Sequence, residues 1–326
     1  MEHSVKNYDI VALGELLIDF TEAGRSGDGM KLFEQNPGGA PANMLTAAGH
    51  MGCRTAFIGK VGSDMHGRFL IETLHAEGID TSGIIEDKDF FTTLAFVGLD
   101  GDGERSFSFA RSPGADTMLR TEELDKSLLT SCRVLHVGSL SLTDEPSRSA
   151  TFEAVRIARG SGAVISCDPN YRASLWKSRE DAVDKMRSLI PMADIVKVSD
   201  EESLLITGCD LYEDAADAIL AMGPKLVAVT LGSRGALIAR DDHKEIIDAF
   251  KVDCVDTTGA GDSFWGGFVG RFLSFGCAVE DMTRDAIIDC AVTGNAFAAL
   301  CVKGRGGIPS IPSYDEARTL AASYKF

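Results

Sequence analysis

An α/β fold with a mainly parallel central sheet, covered by helices on both faces, is what this 326-residue sequence predicts. Three observations carry the prediction. Short apolar runs that read as strands alternate with stretches that read as helices, the pattern produced by crossover connections between parallel strands. Several of those runs end in glycine or a polar residue, as in LHVGS, ISCDP, IVKVSD and AVTLGS, and open α/β sheets gather ligands at strand carboxyl ends. A hydrophobic share of 44% over this length supports one large core, and a single domain with an excursion fits as well as two domains.

The elements follow in order. YDIVALGELLI is apolar and strand-like, the segment GGAPANMLTAAGHMG comes next, and TAFIGKVG and VLHVGSL read as strands. EPSRSATFEAVRIARGSG reads as a helix, AVISCDP as a strand, and REDAVDKMRSLIPM as a helix; DIVKVS, KLVAVTLG and GALIAR then read as strands before a helical carboxyl-terminal third. One piece breaks the alternation. TTLAFVGLDGDGERSFSFAR reads as two strands joined by the turn residues DGDGE, with Phe107 and Phe109 on one face of the second strand. Together with the irregular Gly-rich stretch from Phe20 to Phe33, this hairpin is expected to form a small β-flap on the main body.

Charge and cysteine usage exclude several classes. Lys and Arg number 32 against 49 Asp and Glu, a net charge of -17, so a basic footprint for nucleic acid or an anionic membrane is missing. Any phosphate must be met locally. The amino-terminal MEHSVKNYDIVALGELL lacks the basic start of a signal peptide, and no stretch approaches eighteen apolar residues, which predicts a cytoplasmic protein. The eight cysteines are scattered, form no C-x-x-C pair and mostly sit in apolar surroundings, so they read as reduced core residues rather than as zinc or redox ligands.

The chemistry concentrates in DTTGAGDSFWGGF, residues 256–268. Phe264, Phe268 and Phe272 recur at four-residue spacing, which predicts a buried helix. Gly259, Ala260, Gly261 and Asp262 then form its first turn, where unpaired N–H groups and the positive end of the helix dipole make an anion site. Asp262 reads as an N-cap or as a base. The small residues before it clear an approach that capping alone does not need, and a carboxylate beside an anion site suits a reaction in which a hydroxyl gives up its proton and attacks a phosphoryl group. A dinucleotide fingerprint would need a small residue where Phe264 stands, and the Walker G-x-x-x-x-G-K-[ST] is absent.

DTTGAGDSFWGGF resembles the carboxyl-terminal signature of the PfkB, or ribokinase-like, family of carbohydrate kinases. GGAPANMLTAAGHMG followed by GKVGSDMHG, residues 38–67, resembles the family's amino-terminal signature. The resemblance spans the chain. It implies one ribokinase-like three-layer domain over 1–326, with a β-lid formed by about 19–36 and 90–112. Asp262 falls on the family's catalytic base and Gly259, Ala260 and Gly261 on its anion hole. Asp19, at the end of GELLID, with Gly38, Gly39 and Asn43, falls on sugar-binding positions. KVSDEE resembles the N-x-x-E element, with Lys197 and Ser199 on the nucleotide side, Ser199 replacing Asn, and Glu202 orienting Mg²⁺. Thr230, Gly232 and Gly235 of VTLGSRGA, with Asn295, fall on ATP contacts, and Asp256 and Thr258 on ligands of a monovalent cation such as K⁺. The cofactors implied are therefore ATP and Mg²⁺, with K⁺ beside them. In the family such a lid covers the sugar and often serves as a dimer surface, so a homodimer through the lid is expected.

FARSPGADTML and DPNYRASLW most resemble the fructokinases, with 2-keto-3-deoxygluconate kinase as the nearest competitor. Arg111 and Arg172 could serve either sugar, since a guanidinium donates to hydroxyls or pairs with a carboxylate. Phe96 and Phe109 stand at lid positions where the acid-sugar kinases tend to carry tyrosines, which favours fructose. A sugar- or nucleotide-sensing protein without catalysis is the reading from another class.

Overall fold

Alternate residues of the first strand, Tyr8–Leu13 (β1), enter different cores: Val11 and Leu13 join one apolar cluster, Ile10 and Ala12 the other. That is the signature of a strand buried on both faces, and it makes the molecule three-layered. The computed structural model describes residues 6–99, 105–241 and 243–325. Among these, β1 sits inside a nine-stranded sheet.

Two further sheet strands lie on one side of β1 and six on the other. Thr55–Gly62 (β4) and Asp80–Asp87 (β5) lie on one side. On the other come Cys132–Gly138 (β8), Val164–Asp168 (β9), Ile195–Ser199 (β10) and Leu226–Thr230 (β11), all parallel. Ala236–Arg240 (β12) and His243–Ile247 (β13) finish that edge antiparallel. β5 and β13 escape the sequence reading because DTSGIIED and HKEII are polar edge strands with little apolar signal.

The first apolar run is not one strand. β1 stops at Leu13, and Leu17–Arg25 (β2) belongs to a second sheet with Lys31–Gly38 (β3), Leu94–Leu99 (β6) and Arg105–Ala110 (β7), in the order β3-β2-β6-β7. The stretch from Phe20 to Phe33, expected to be irregular, is thus mostly paired strand, with Phe20 opposite Gln35 and Glu22 opposite Phe33. Gly29, at φ 80°, takes the left-handed backbone that lets the chain reverse between β2 and β3, and Gly24, at φ 92°, sits within β2 where the register shifts between Glu22 and Arg25. The expected hairpin is present as β6 and β7, while its turn at 100–104 and the side chain of Phe107 lie outside the described residues.

The expected Phe-rich helix runs Ala260–Phe275 and is buried along most of its length. Phe264 and Phe268 are each almost fully enclosed, contributing roughly 1.5–3 kcal/mol apiece. Gly266 lets this helix press against the helix Ala40–His50: a Cβ there would lie 2.4 Å from the Met44 carbonyl oxygen. Among the described residues no helix is long and apolar enough to cross a membrane, and all eight cysteines are free.

Candidate active site

The carboxyl ends of β1, β9, β10 and β11 and the start of the helix Ala260–Phe275 surround a cavity of about 540 Å³ roofed by the smaller sheet. A second, more apolar cavity of about 420 Å³ adjoins it, and Thr230, Thr257 and Gly261 line both. The helix start is therefore the wall between two chambers.

Gly259 sits at φ 76°, a left-handed turn that delivers the chain into the helix without a side-chain cap. The Ala260 N–H donates to the Thr257 carbonyl at 3.2 Å, while the N–H groups of Gly261 and Asp262 have no intrahelical acceptor, and Gly261 lines both chambers. Asp262, only 8% exposed, closes this turn. Its two oxygens accept from different amides: Asn43 Nδ2 at 2.8 Å on Oδ2 and Asn170 Nδ2 at 3.0 Å on Oδ1. Asn43, expected to meet sugar directly, thus spends one donor on Asp262.

A cation lies against the turn. Lys197, on β10, reaches so close that a Cβ on Gly261 would sit 2.8 Å from its Nζ. Its ammonium pairs at 2.9 Å with Asp168 at the end of β9, and both side chains are almost wholly buried. Burial alone would disfavour the charge on Lys197, but the carboxylates of Asp168, Glu202 and Asp262 outweigh it and hold its pKa above the ordinary lysine value. Burial conversely pushes the Asp168 carboxyl up, against the pull of Lys197.

Glu202 and Ser199 form a reciprocal capping box at the start of the helix Asp200–Thr207. Glu202 Oε2 accepts from the Ser199 N–H at 2.8 Å and Oε1 from the Tyr171 N–H at 2.6 Å, which locks the carboxylate while leaving lone pairs. Gly232 and Gly235 line the apolar chamber, and a Cβ on Gly235 would strike the Ile247 carbonyl oxygen at 2.0 Å. Asn295 also lines it, but its Nδ2 is committed to the carbonyls of Ile247 and Asp248, so it shapes the wall. The Thr230 hydroxyl donates to the Val198 carbonyl. Asp256 is buried, its oxygens accepting from the N–H groups of Thr258 and Gly306.

On the sugar side, Asp19 lines the main cavity against Gly38, where a Cβ would collide with its carboxylate. Burial pushes its pKa up to about 6, with the Arg172 guanidinium pulling the other way. Gly39, at φ 118°, starts the helix Ala40–His50 where a Cβ would collide with the Glu15 carbonyl oxygen. Arg172 is exposed on the cavity rim.

Two expected substrate contacts are elsewhere. Arg111 is buried in an ion pair, its Nε and one terminal nitrogen on Asp116 at 2.8 and 2.6 Å and its other donors on Thr143 and the Leu140 carbonyl, so its guanidinium is structural. Phe96 points away from the cavity. Side chains alternate across β6, so Val97 lines the cavity beside Phe109 of β7, while Phe96 stacks on Phe20 at 5.3 Å on the outer face. The sequence reading also passed over Asp168, Asn170 and Glu15. The first two follow an apolar strand in DPN, where an α/β sheet puts ligands; Glu15 carries no comparable signal.

The pfkB family carbohydrate kinase model matches residues 7–314, and the chain belongs to that family. It is 41% identical to probable fructokinase-4 of Arabidopsis thaliana, over 95% of this chain and 96% of that protein, and 41% identical to fructokinase-1 of rice (Oryza sativa subsp. japonica), over 96% and 98%. Among solved structures, fructokinase of Xylella fastidiosa with bound ATP superposes with a TM-score of 0.88 at 30% identity, covering 96% of this chain and 98% of that one. Fructokinase of Vibrio cholerae O395, in its fructose, ADP and calcium ion bound form, superposes at 0.86 with 33% identity, over 96% and 99%. The chain is thus a sugar phosphotransferase of the ribokinase-like fold.

Proposed function

We propose that this protein is an ATP-dependent fructokinase. The observation that carries the reading is Asp262: a buried carboxylate on the first turn of a helix, beside a buried lysine, where a polar chamber meets an apolar one. Fructose occupies the polar chamber between Asp19, the Gly38–Gly39 backbone, Asn43 and Arg172, with Val97 and Phe109 of the lid above it. The adenine of ATP occupies the apolar chamber beside Gly232, Gly235 and the wall that Asn295 holds. The terminal phosphate meets the N–H groups of the 259–261 turn and the Lys197 ammonium, which stabilise charge on the transferred group. Asp262 accepts the hydroxyl proton as the oxygen attacks the terminal phosphorus in line, the bond to the departing ADP breaks, and sugar phosphate and ADP result. The burial of Arg111 removes one of the two cations a sugar acid would need, which favours the neutral sugar over 2-keto-3-deoxygluconate.

The donor set fits the implied cations. It is all oxygen, as hard Mg²⁺ requires, and Mg²⁺ usually binds through one or two carboxylates plus substrate phosphates. Among the described residues no group of three or more His, Cys, Asp or Glu side chains could hold a metal alone. Glu202 would hold Mg²⁺ together with the nucleotide, where the ion neutralises phosphate charge. Asp256 and Thr258 are the candidates for K⁺. We also assign a single domain with a lid formed by β2, β3, β6 and β7. Phe20, Phe33 and Phe96 form an aromatic cluster on the lid's outer face, with Phe33 41% and Phe96 38% exposed, which supports a homodimer through the lid. The free cysteines support a reducing compartment such as the cytoplasm.

The test is ADP release with Mg-ATP against fructose, 2-keto-3-deoxygluconate, ribose, adenosine and glucose. The highest kcat/KM is expected on fructose. A higher value on another sugar would overturn the substrate, and no sugar-dependent release would overturn the kinase.

A further inference from the structure

Asn170 follows Pro169 at the carboxyl end of β9 with φ 52°, and no other non-glycine among the described residues has positive φ. It is 6% exposed, and its Nδ2 donates to Asp262 Oδ1 across 92 residues of chain. Its neighbour Tyr171 gives its backbone N–H to Glu202, and Asp168 of the same turn holds Lys197. One short turn therefore grips the groups expected at the base, at the metal and at the transferred phosphate.

We propose that Asn170 is a positioning residue for phosphoryl transfer, its amide fixing the orientation of the Asp262 carboxylate. The inference rests on the reading of Asp262 as the base. A carboxylate offers about four acceptor positions on two oxygens. Asn43 and Asn170 take one position on each oxygen, so the carboxylate cannot rotate without breaking a hydrogen bond, and a remaining lone pair is held toward the sugar hydroxyl. Lys197, Asp168, Asp19 and Cys301 are the titratable groups that feel the Asp262 charge most directly. Two of these, Asp168 and Asp19, are carboxyl groups that oppose a carboxylate there, while burial pushes the Cys301 thiol up to about 11 and keeps it neutral, so neutral amide donors are well suited to support Asp262. Asparagine combines such a donor with tolerance of the left-handed backbone.

Two substitutions separate this role from a purely conformational one. N170G keeps the left-handed turn and removes the donor; N170D keeps the shape and turns the donor into an acceptor facing Asp262. Steady-state kcat and the KM for ATP and for fructose are measured for both, beside the wild type and D262A. With positioning, kcat falls about tenfold in N170G and roughly a hundredfold in N170D, the scale of a hydrogen bond to a charged group, while the KM for ATP stays within about threefold. If Asn170 only fills a left-handed turn, N170G equals the wild type and only N170D, through charge repulsion beside Asp262, loses activity, which overturns the proposal. Should N170G fail to fold, N170S, which keeps a short donor, is compared with N170A, which lacks one: kcat well above N170A supports positioning, and equal kcat overturns it. A wild type without sugar-dependent ADP release would instead remove the reading of Asp262 on which the inference stands.

Discussion

Lys197, in the middle of one strand, meets Asp168, at the end of the adjacent parallel strand, at 2.9 Å, both almost closed to water. Removing only the cation strands a buried carboxylate, so K197M is expected to lose about 3–5 kcal/mol of stability, and D168N/K197M to regain much of it while kcat stays low. Urea unfolding with parallel kinetics checks this. If the double variant recovered activity too, Lys197 would be structural and would not assist transfer.

Asp262 is expected to matter for turnover and little for folding. D262N should lower kcat by at least about 10²–10⁴-fold, the usual range for general-base catalysis, with the KM for ATP nearly unchanged. Its melting temperature should fall only modestly: one asparagine amide then faces an N–H₂ group and Lys197 loses a carboxylate, but a negative charge that raises the pKa of both Asp19 and Asp168 is also removed. A D262N protein with near-normal kcat would dismiss the base.

Glu15 ties stability to pH. Its carboxyl is enclosed, accepts from the Ala40 N–H, keeps Oε2 without a partner, and is pushed by burial from 4.5 up to about 7. The folded state therefore takes up this proton before the unfolded chain does. The contribution favours folding below about pH 4.5 and is lost as pH rises through about 7, by on the order of 3 kcal/mol. Melts of the wild type and E15Q from pH 4.5 to 8 should diverge upward in pH, the variant being flatter; parallel curves would refute the assignment.

The two lid phenylalanines should separate cleanly. F109A faces the cavity and is expected to raise the KM for fructose several-fold without altering assembly. F96S faces outward and is expected to leave that KM alone while weakening self-association in sedimentation. A sugar KM that moves with F96S and not with F109A would mean the lid faces are assigned backwards.

How far the sequence leads depends on the range of each interaction. The Gly259–Asp262 turn was legible because its glycines, acid and apolar helix are contiguous, and the three-layer fold because its strand and helix patterns are local. Asn170 was not, since its amide has meaning only against Asp262, and Lys197 could be named but not its partner Asp168. Phe96 was misjudged because strand parity decides which face a side chain takes, and a one-residue shift of register reverses it. Arg111 was misjudged because nothing in FARSPGADTML says that Asp116 folds back onto it.

Gly266 lies in the core, a turn beyond Asp262, where the helix Ala260–Phe275 touches the backbone of the helix bearing Asn43. The alignment of base and sugar site is thus gauged by the thickness of a single hydrogen atom at a point that lines neither chamber. Any side chain there acts as a wedge, so a buried position away from both chambers still sets the spacing between base and sugar site.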